Sequence, residues 1–239
     1  MKKLSILIAA TLSITSCDVI TGTGVTGNGN IQTEKRNTGN FNGVKSSGSI
    51  DIEINNGDAC AVSVEDDDNI LQYIVTEVHD GTLNVYYKHG YSINNDHAKV
   101  YVTAPGLDKL SISGSGDITT QSTLKNSRKI EMNVSGSGNI KARVDAPAID
   151  VSVNGSGNVG LTGHTRDLNC SVAGSGDVNC GALESENTTV KIAGSGSAHV
   201  FASVHLSATV VGSGNVYYRG NPSSPEIHTT GSGSVQQEK

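Results

Sequence analysis

The sequence predicts an all-β fold: a right-handed parallel β-helix-like solenoid of about 19-residue repeats, with a β-rich N-terminal segment. Three observations carry this reading. Gly-Ser-Gly begins at positions 114, 136, 155, 174, 194, 212 and 231, at spacings of 22, 19, 19, 20, 18 and 19. A near-fixed period of this size marks stacked repeats. Around the copies apolar residues alternate with polar ones, the period-two pattern of a strand with one buried and one wet face. The composition also argues against a deep core of large residues, with no Trp, 2 Phe and 29 Gly among 239 residues. An antiparallel β meander or sandwich is the alternative, because alternation alone does not fix strand direction.

The elements follow in chain order. Lys2 and Lys3 precede an apolar stretch from Leu4 to Ile14, too short to span a bilayer, which needs roughly 20 residues. The stretch ends Ile14-Thr15-Ser16-Cys17. This resembles the lipobox of bacterial lipoproteins. The resemblance implies a signal peptide over 1–16, lipidation of Cys17, and a bacterial cell-envelope protein anchored to membrane, expected to be the outer membrane, through its N-terminal lipid. Residues 17–37, with Gly22, Gly24, Gly27 and Gly29 among Thr and Asn, read as a flexible lipidated tether. A formal charge of −6 gives no basic footprint for a phosphate backbone, so nucleic acid is excluded as a partner class.

Residues 38–239 form the expected solenoid domain. Two weaker copies of the repeat precede the main run, at Gly27-Asn28-Gly29-Asn30-Ile31 and Ser46-Ser47-Gly48-Ser49-Ile50. Residues 50–104 break the period. Ile50, Ile52 and Ile54, a turn at Asn55–Asp58, and Cys60, Val62 and Val64 read as a β-hairpin. Asp66-Asp67-Asp68-Asn69 then reads as the cap of a short helical turn through Leu71, Ile74 and Val75. Strands over Thr82–Tyr87 and Lys99–Thr103 follow, and the whole segment reads as a cover for one end of the solenoid.

Over 114–235 each repeat reads as two short strands joined at Gly-Ser-Gly. Ile130, Met132 and Val134 precede one corner; Ile149, Val151 and Val153 precede the next; Val159 and Leu161 follow it. The corner glycines, Gly157 among them, supply positive φ without steric penalty. The residue after each corner is Asp117, Asn139, Asn158, Asp177, Ser197, Asn215 or Ser234. In register, the serines and asparagines form ladders up one corner. Cys60, Cys170 and Cys180 fall on the apolar phase and read as buried thiols. An antiparallel hairpin at Ser175 brings Cys170 and Cys180 face to face; a parallel corner is expected to hold them apart.

The hairpin, the run Asp68-Asn69-Ile70-Leu71-Gln72-Tyr73-Ile74-Val75-Thr76-Glu77-Val78, Asp80-Gly81-Thr82-Leu83, and Val100-Tyr101-Val102-Thr103-Ala104-Pro105 leading into Gly114-Ser115-Gly116-Asp117 resemble one family over roughly 38–220. It is the putative auto-transporter adhesin, head GIN domain family, common in lipoproteins of Bacteroidetes-type bacteria. The resemblance implies a β-helical solenoid, adhesion, and no catalytic residues to carry over.

The chemistry-bearing residues give no catalytic constellation. Repeat-bound calcium is disfavoured, because only Asp117 and Asp177 of the seven post-corner positions are acidic. Glu65-Asp66-Asp67-Asp68 is a second calcium candidate, read instead as a solvated turn. His89, Asp96 and His97 could offer zinc ligands, but paired metal spacing is missing. Neither a metal nor a cofactor is therefore expected. The candidate ligand contacts are Tyr86, Tyr87, His89 and Tyr91, with Tyr101 near them in sequence, and a second cluster of Tyr217, Tyr218 and Arg219. Tyrosine presents a rigid apolar body with a polar tip, which suits sugars and proteins. The function read from these residues is a non-catalytic adhesin-like binding or structural module, contacting a glycan or a host or envelope protein, with a homo-oligomer left open. The alternative is a carbohydrate-active β-helix lyase or hydrolase.

Overall fold

The structure is a computed structural model that describes residues 22–94 and 97–238. Cys17 and the signal segment lie outside the described residues. The first nine strands are β1 (Thr23–Thr26), β2 (Ile31–Arg36), β3 (Gly43–Gly48), β4 (Asp51–Asn56), β5 (Ala61–Asp67), β6 (Ile74–His79), β7 (Thr82–Tyr87), β8 (Tyr91–Asn94) and β9 (Lys99–Ala104). The repeats supply β10 (Lys109–Gly114), β11 (Ile118–Lys125), β12 (Lys129–Gly136), β13 (Asn139–Gly155), β14 (Asn158–Gly174), β15 (Val178–Gly194), β16 (Ser197–Phe201), β17 (His205–Gly212), β18 (Asn215–Arg219), β19 (Glu226–Gly231) and β20 (Ser234–Gln237).

Successive repeats pair in parallel, with the first corner glycines in line: Gly48 with Gly114, then Gly136, Gly155, Gly174, Gly194, Gly212 and Gly231. The chain is therefore a β-solenoid of about seven stacked turns, and the parallel register excludes the meander. The inward columns are the alternating residues of the sequence. Val134, Val153, Val172, Ile192 and Val210 stack before the corner, and Ile118, Ile140, Val159, Val178, Ala198 and Val216 stack after it. Each buried valine or isoleucine contributes about 1.5–3 kcal/mol, and small aliphatic residues fill most of the thin interior, with Phe41 and Tyr218 as buried aromatics.

The two glycines of each corner have different causes. The first has positive φ, as at Gly155 (φ 128°). The second is held by crowding, which corrects the positive φ expected at Gly157: a Cβ there would lie 2.2 Å from the Gly138 carbonyl oxygen and 2.6 Å from Val134 Cγ1. The close approach serves hydrogen bonding. The amides of Ser156 and Gly157 both donate to the Gly136 carbonyl, each at 2.9 Å, and the arrangement recurs at every corner from 115 to 233.

The post-corner ladder forms, but through Asn and Asp. Asn158 Nδ2 donates to Asn139 Oδ1 (2.8 Å), the Asp177 amide donates to Asn158 Oδ1 (3.1 Å), and the Ser197 amide donates to Asp177 Oδ1 (2.7 Å). The corner serines from Ser137 to Ser232 point outward and are exposed or half-buried, so they add no hydroxyl ladder. Cys170 and Cys180 are free and buried, and no disulfide joins them across the parallel corner. Interaction with the Cys180 thiol, together with burial, pushes the Cys170 thiol well up.

Several upstream expectations are revised. Strands β1 and β2 occupy residues expected to be tether; β2 pairs antiparallel with β5, and β1 forms a separate two-stranded sheet with β8. The Gly27–Ile31 copy of the repeat is consequently not a coil. The hairpin over 50–64 does not form either. Strand β9 lies between its arms, parallel to β4 (Ile52 beside Val100) and antiparallel to β5 (Val64 beside Val100). Stacking fills both edges of β4, with β11 on one side and β9 on the other, leaving none for β5. The acidic run is not a helix cap: Ile70 precedes a 3₁₀ turn over Leu71–Tyr73 without a side-chain cap bond. Asp66 and Asp67 are 0% and 2% exposed, and Asp68 accepts from Asn28 (2.6 Å) and Asn30 (2.7 Å).

Candidate ligand-binding surfaces

Two recesses lie on different walls of the solenoid. The first is at the N-terminal end, on the pre-corner wall. Strand β7 stacks in parallel on β3, and β6 turns back antiparallel onto β7. Outward residues of these three strands converge, so Lys45 of β3, Glu77 and His79 of β6, and Asn84 and Tyr86 of β7 line a hollow of about 530 Å³, to which His89 and Tyr87, itself packed partly against the core, also contribute. The Tyr86 hydroxyl donates to Glu77 Oε1 (2.7 Å), and His79 Nε2 lies 3.3 Å from the same oxygen. The Tyr86 bond holds the Glu77 carboxyl below its usual range and raises the Tyr86 phenol. The His89 ring lies 5.8 Å from the Tyr86 ring.

Three of the first four sequence candidates, Tyr86, Tyr87 and His89, therefore come together. Tyr91 does not join them: it is on β8, 42% exposed, with its ring 4.5 Å from Tyr73. Tyr101 is elsewhere as well, donating to Glu65 Oε1 at 3.2 Å. Lys45, Glu77, His79 and Asn84 were not legible from local sequence, because they meet the tyrosines only through the β3–β7–β6 pairing.

The second cluster divides. Tyr218 is 9% exposed, on the inward phase of β18, so it is core and no ligand contact. Tyr217 and Arg219 point outward. The Tyr217 ring stacks on His199 at 4.7 Å, and Glu238 lies 3.4 Å from Arg219 Nε and 3.3 Å from His199 Nδ1. Arg219, His199 and Glu238 form one end of the larger recess, a groove of about 900 Å³ along the post-corner wall that also takes in Lys141, Arg143 and Gly160. Those last three drew no attention in the sequence, where nothing distinguishes one outward residue of a repeat from another.

Among the described residues no three His, Cys, Asp or Glu side chains are grouped to hold a metal ion, and Asp96 lies outside the described residues. No helix of the described residues is long and apolar enough to cross a membrane.

A parallel β-solenoid with polar recesses on its walls and a strand-reversed end is the class of protein that fold and surface define. The chain belongs to the family described as "Putative auto-transporter adhesin, head GIN domain", whose model matches residues 40–222. Its fold is similar to that of a putative adhesin from Bacteroides fragilis NCTC 9343, at a TM-score of 0.86 and 22% identity, covering 90% of this chain and 100% of that one. A putative lipid binding protein from Parabacteroides distasonis ATCC 8503 matches at a TM-score of 0.77 and 28% identity, over 91% and 100%. A putative adhesin from Parabacteroides merdae ATCC 43184 matches at 0.73 and 26%, again over 91% and 100%. No curated protein matches the chain at a significant level.

Proposed function

We propose that this chain is a non-catalytic binding module of the bacterial cell envelope, an adhesin-type domain held at the membrane by lipid on Cys17. The observation that carries the binding reading is the hollow around Tyr86. There a phenol ring, an imidazole, an ammonium and a carboxylate surround a space of about 530 Å³, within the usual range for small-ligand sites. Aromatic faces beside fixed hydrogen-bonding groups suit a sugar ring or a polar protein loop. Family membership and the adhesin descriptions of structural neighbours support this class over an enzyme.

The test is retention of purified protein on glycan and host-protein arrays, compared with Tyr86→Ala. Loss of retention in the variant, with an unchanged thermal melt, supports the reading; equal retention removes the hollow from it. The anchor is tested separately. Cys17→Ala is expected to move the protein from membrane to soluble fractions, and unchanged membrane fractionation would refute lipidation at that residue.

A further inference from the structure

The groove on the post-corner wall departs from the repeat in ways the fold does not need. Its floor and sides are outward residues of six successive strands, β11, β13, β14, β15, β16 and β18, a run of about 24 Å at ~4.8 Å per strand. Two of the Gly-Ser-Gly spacings exceed nineteen residues, and both place most or all of the excess here. In the 22-residue coil, four steps from Thr119 to Thr123 pass two from Lys141 to Arg143, so a bulge absorbs two of the three extra residues. In the 20-residue coil, three steps from Asn179 to Ala182 pass two from Gly160 to Thr162, which absorbs its one. The first bulge is pinned in place by the Arg143 amide, which donates to Thr120 Oγ1 at 3.1 Å. Bulges that re-aim side chains are features of binding sites.

The floor is hollowed by a glycine that no backbone constraint requires. At the corners a Cβ would strike neighbouring backbone at 2.0–2.5 Å, whereas at Gly160 the nearest atom is Lys141 Cγ at 3.9 Å and φ is not positive. A side chain fits there, and its absence deepens the groove. The charge is also local. Of the five arginines, Arg36, Arg128, Arg166 and Arg219 each meet a carboxylate, while among the described residues Arg143 meets none. Arg143, Lys141 and Arg219 face the groove against the single carboxylate of Glu238, in a chain of net charge −6.

We infer that this groove binds an extended acidic polysaccharide, its carboxylates on Arg143 and Lys141 and one sugar seated over Gly160. The guanidinium fork matches a planar carboxylate. The hydroxyls of Thr119 and Thr162 and the amide of Asn179 offer partners to sugar hydroxyls. The site is on a different wall from the Tyr86 hollow and does not depend on it.

Isothermal titration with an oligogalacturonate, a neutral glucan of equal length and a DNA duplex tests the assignment. The wild-type chain is expected to bind the oligogalacturonate alone, more weakly as salt rises from ~50 to ~500 mM. The Lys141→Gln/Arg143→Gln variant is expected to weaken binding about tenfold or more, and Gly160→Ile to weaken it by blocking the floor. Lys191→Gln, which removes an exposed cation on the pre-corner wall outside the groove, should bind as wild type and controls for net charge. Absence of binding at millimolar ligand, equal binding of the neutral glucan or the duplex, or undiminished binding by folded groove variants would each overturn the inference.

Discussion

The two ends of the solenoid are built differently. At the N-terminal end the parallel stack runs through β3 and β4 onto β7 and β9, and strand direction then reverses: β6 lies antiparallel on β7, β5 on β9, and β2 on β5. Buried residues continue into this layer, including Val62, Val64 and Ile74. At the other end β19 and β20 each pair with one strand only among the described residues, and every residue of β19 is exposed. Where the preceding coil carries Ala208, Val210, Val216 and Tyr218 inward, this coil carries Ile227, Thr229, Val235 and Gln237. An open parallel edge tends to recruit further strands. Among the described residues, strand direction reverses at one edge, and the last coil at the other carries fewer apolar inward residues.

The contrast can be broken first at the corners. Gly157 and Gly233 sit in the same local geometry, since a Cβ at either would lie 2.2 Å from the glycine carbonyl oxygen of the coil below. Gly157→Val has a coil on each side and nowhere to relax, so it is expected to cost several kcal/mol, with loss of soluble protein or a large fall in Tm. Gly233→Val is relieved by fraying β19 and β20, and should leave Tm nearly unchanged while hydrogen exchange rises over 226–237. Equal losses would show that the last coil is as firmly held as the middle.

The core gives the next step down. Ile149 is 0% exposed and Ile227 is 42% exposed, although both fall on the inward phase of their coils. Ile149→Ala is expected to cost about 3 kcal/mol in denaturant unfolding, and Ile227→Ala under ~1 kcal/mol. The ladder sharpens the comparison further. Asn158→Ala removes a donor to Asn139 and the acceptor of the Asp177 amide, at about 1 kcal/mol. Asn215→Ala loses its bonds from the Ser234 amide and hydroxyl, which water can replace at the exposed end, so a smaller fall is expected.

These differences explain what was legible in the sequence. Inside the repeat, neighbours in space are neighbours in pattern, so alternation and period identified the inward columns, the corner positions and the asparagine ladder, but not the place of Asp177 in it. The weak copy at Gly48 was legible for the same reason, even though 66 residues separate it from its partner Gly114. Within the capping segment that logic fails. Ile52 and Val64 are each correctly patterned as strand, but the strand that separates them arrives from Val100, and no local signal encodes it. The binding surfaces divide along the same line. Tyr86 and His89 stood out by residue type, whereas Arg143 and Gly160 acquire meaning only when six coils are stacked and their outward residues are read down a column. Tyr218 was misread because a tyrosine invites a functional reading, while its phase within β18 already placed it inward.

The smallest effect tests the capped end alone. Glu77 and Tyr86 belong to the reversed layer, and the Tyr86 hydroxyl bond holds the Glu77 carboxyl below its unfolded range, with His79 adding to the effect. A carboxylate with a depressed folded value favours the native state at pH above its unfolded value. That contribution fades as pH falls through the folded value, so the cap should loosen slightly on acidification. Both groups are open to solvent, where such pairs are weak. The measurement is an NMR titration of the Glu77 side-chain carboxyl, whose midpoint is expected below that of a free glutamate and to rise toward it in Tyr86→Phe. An unshifted midpoint in the parent chain would remove the bond. A depressed midpoint unchanged in Tyr86→Phe would assign the shift to His79 alone, and the phenol would then be free to meet a ligand without first giving up Glu77.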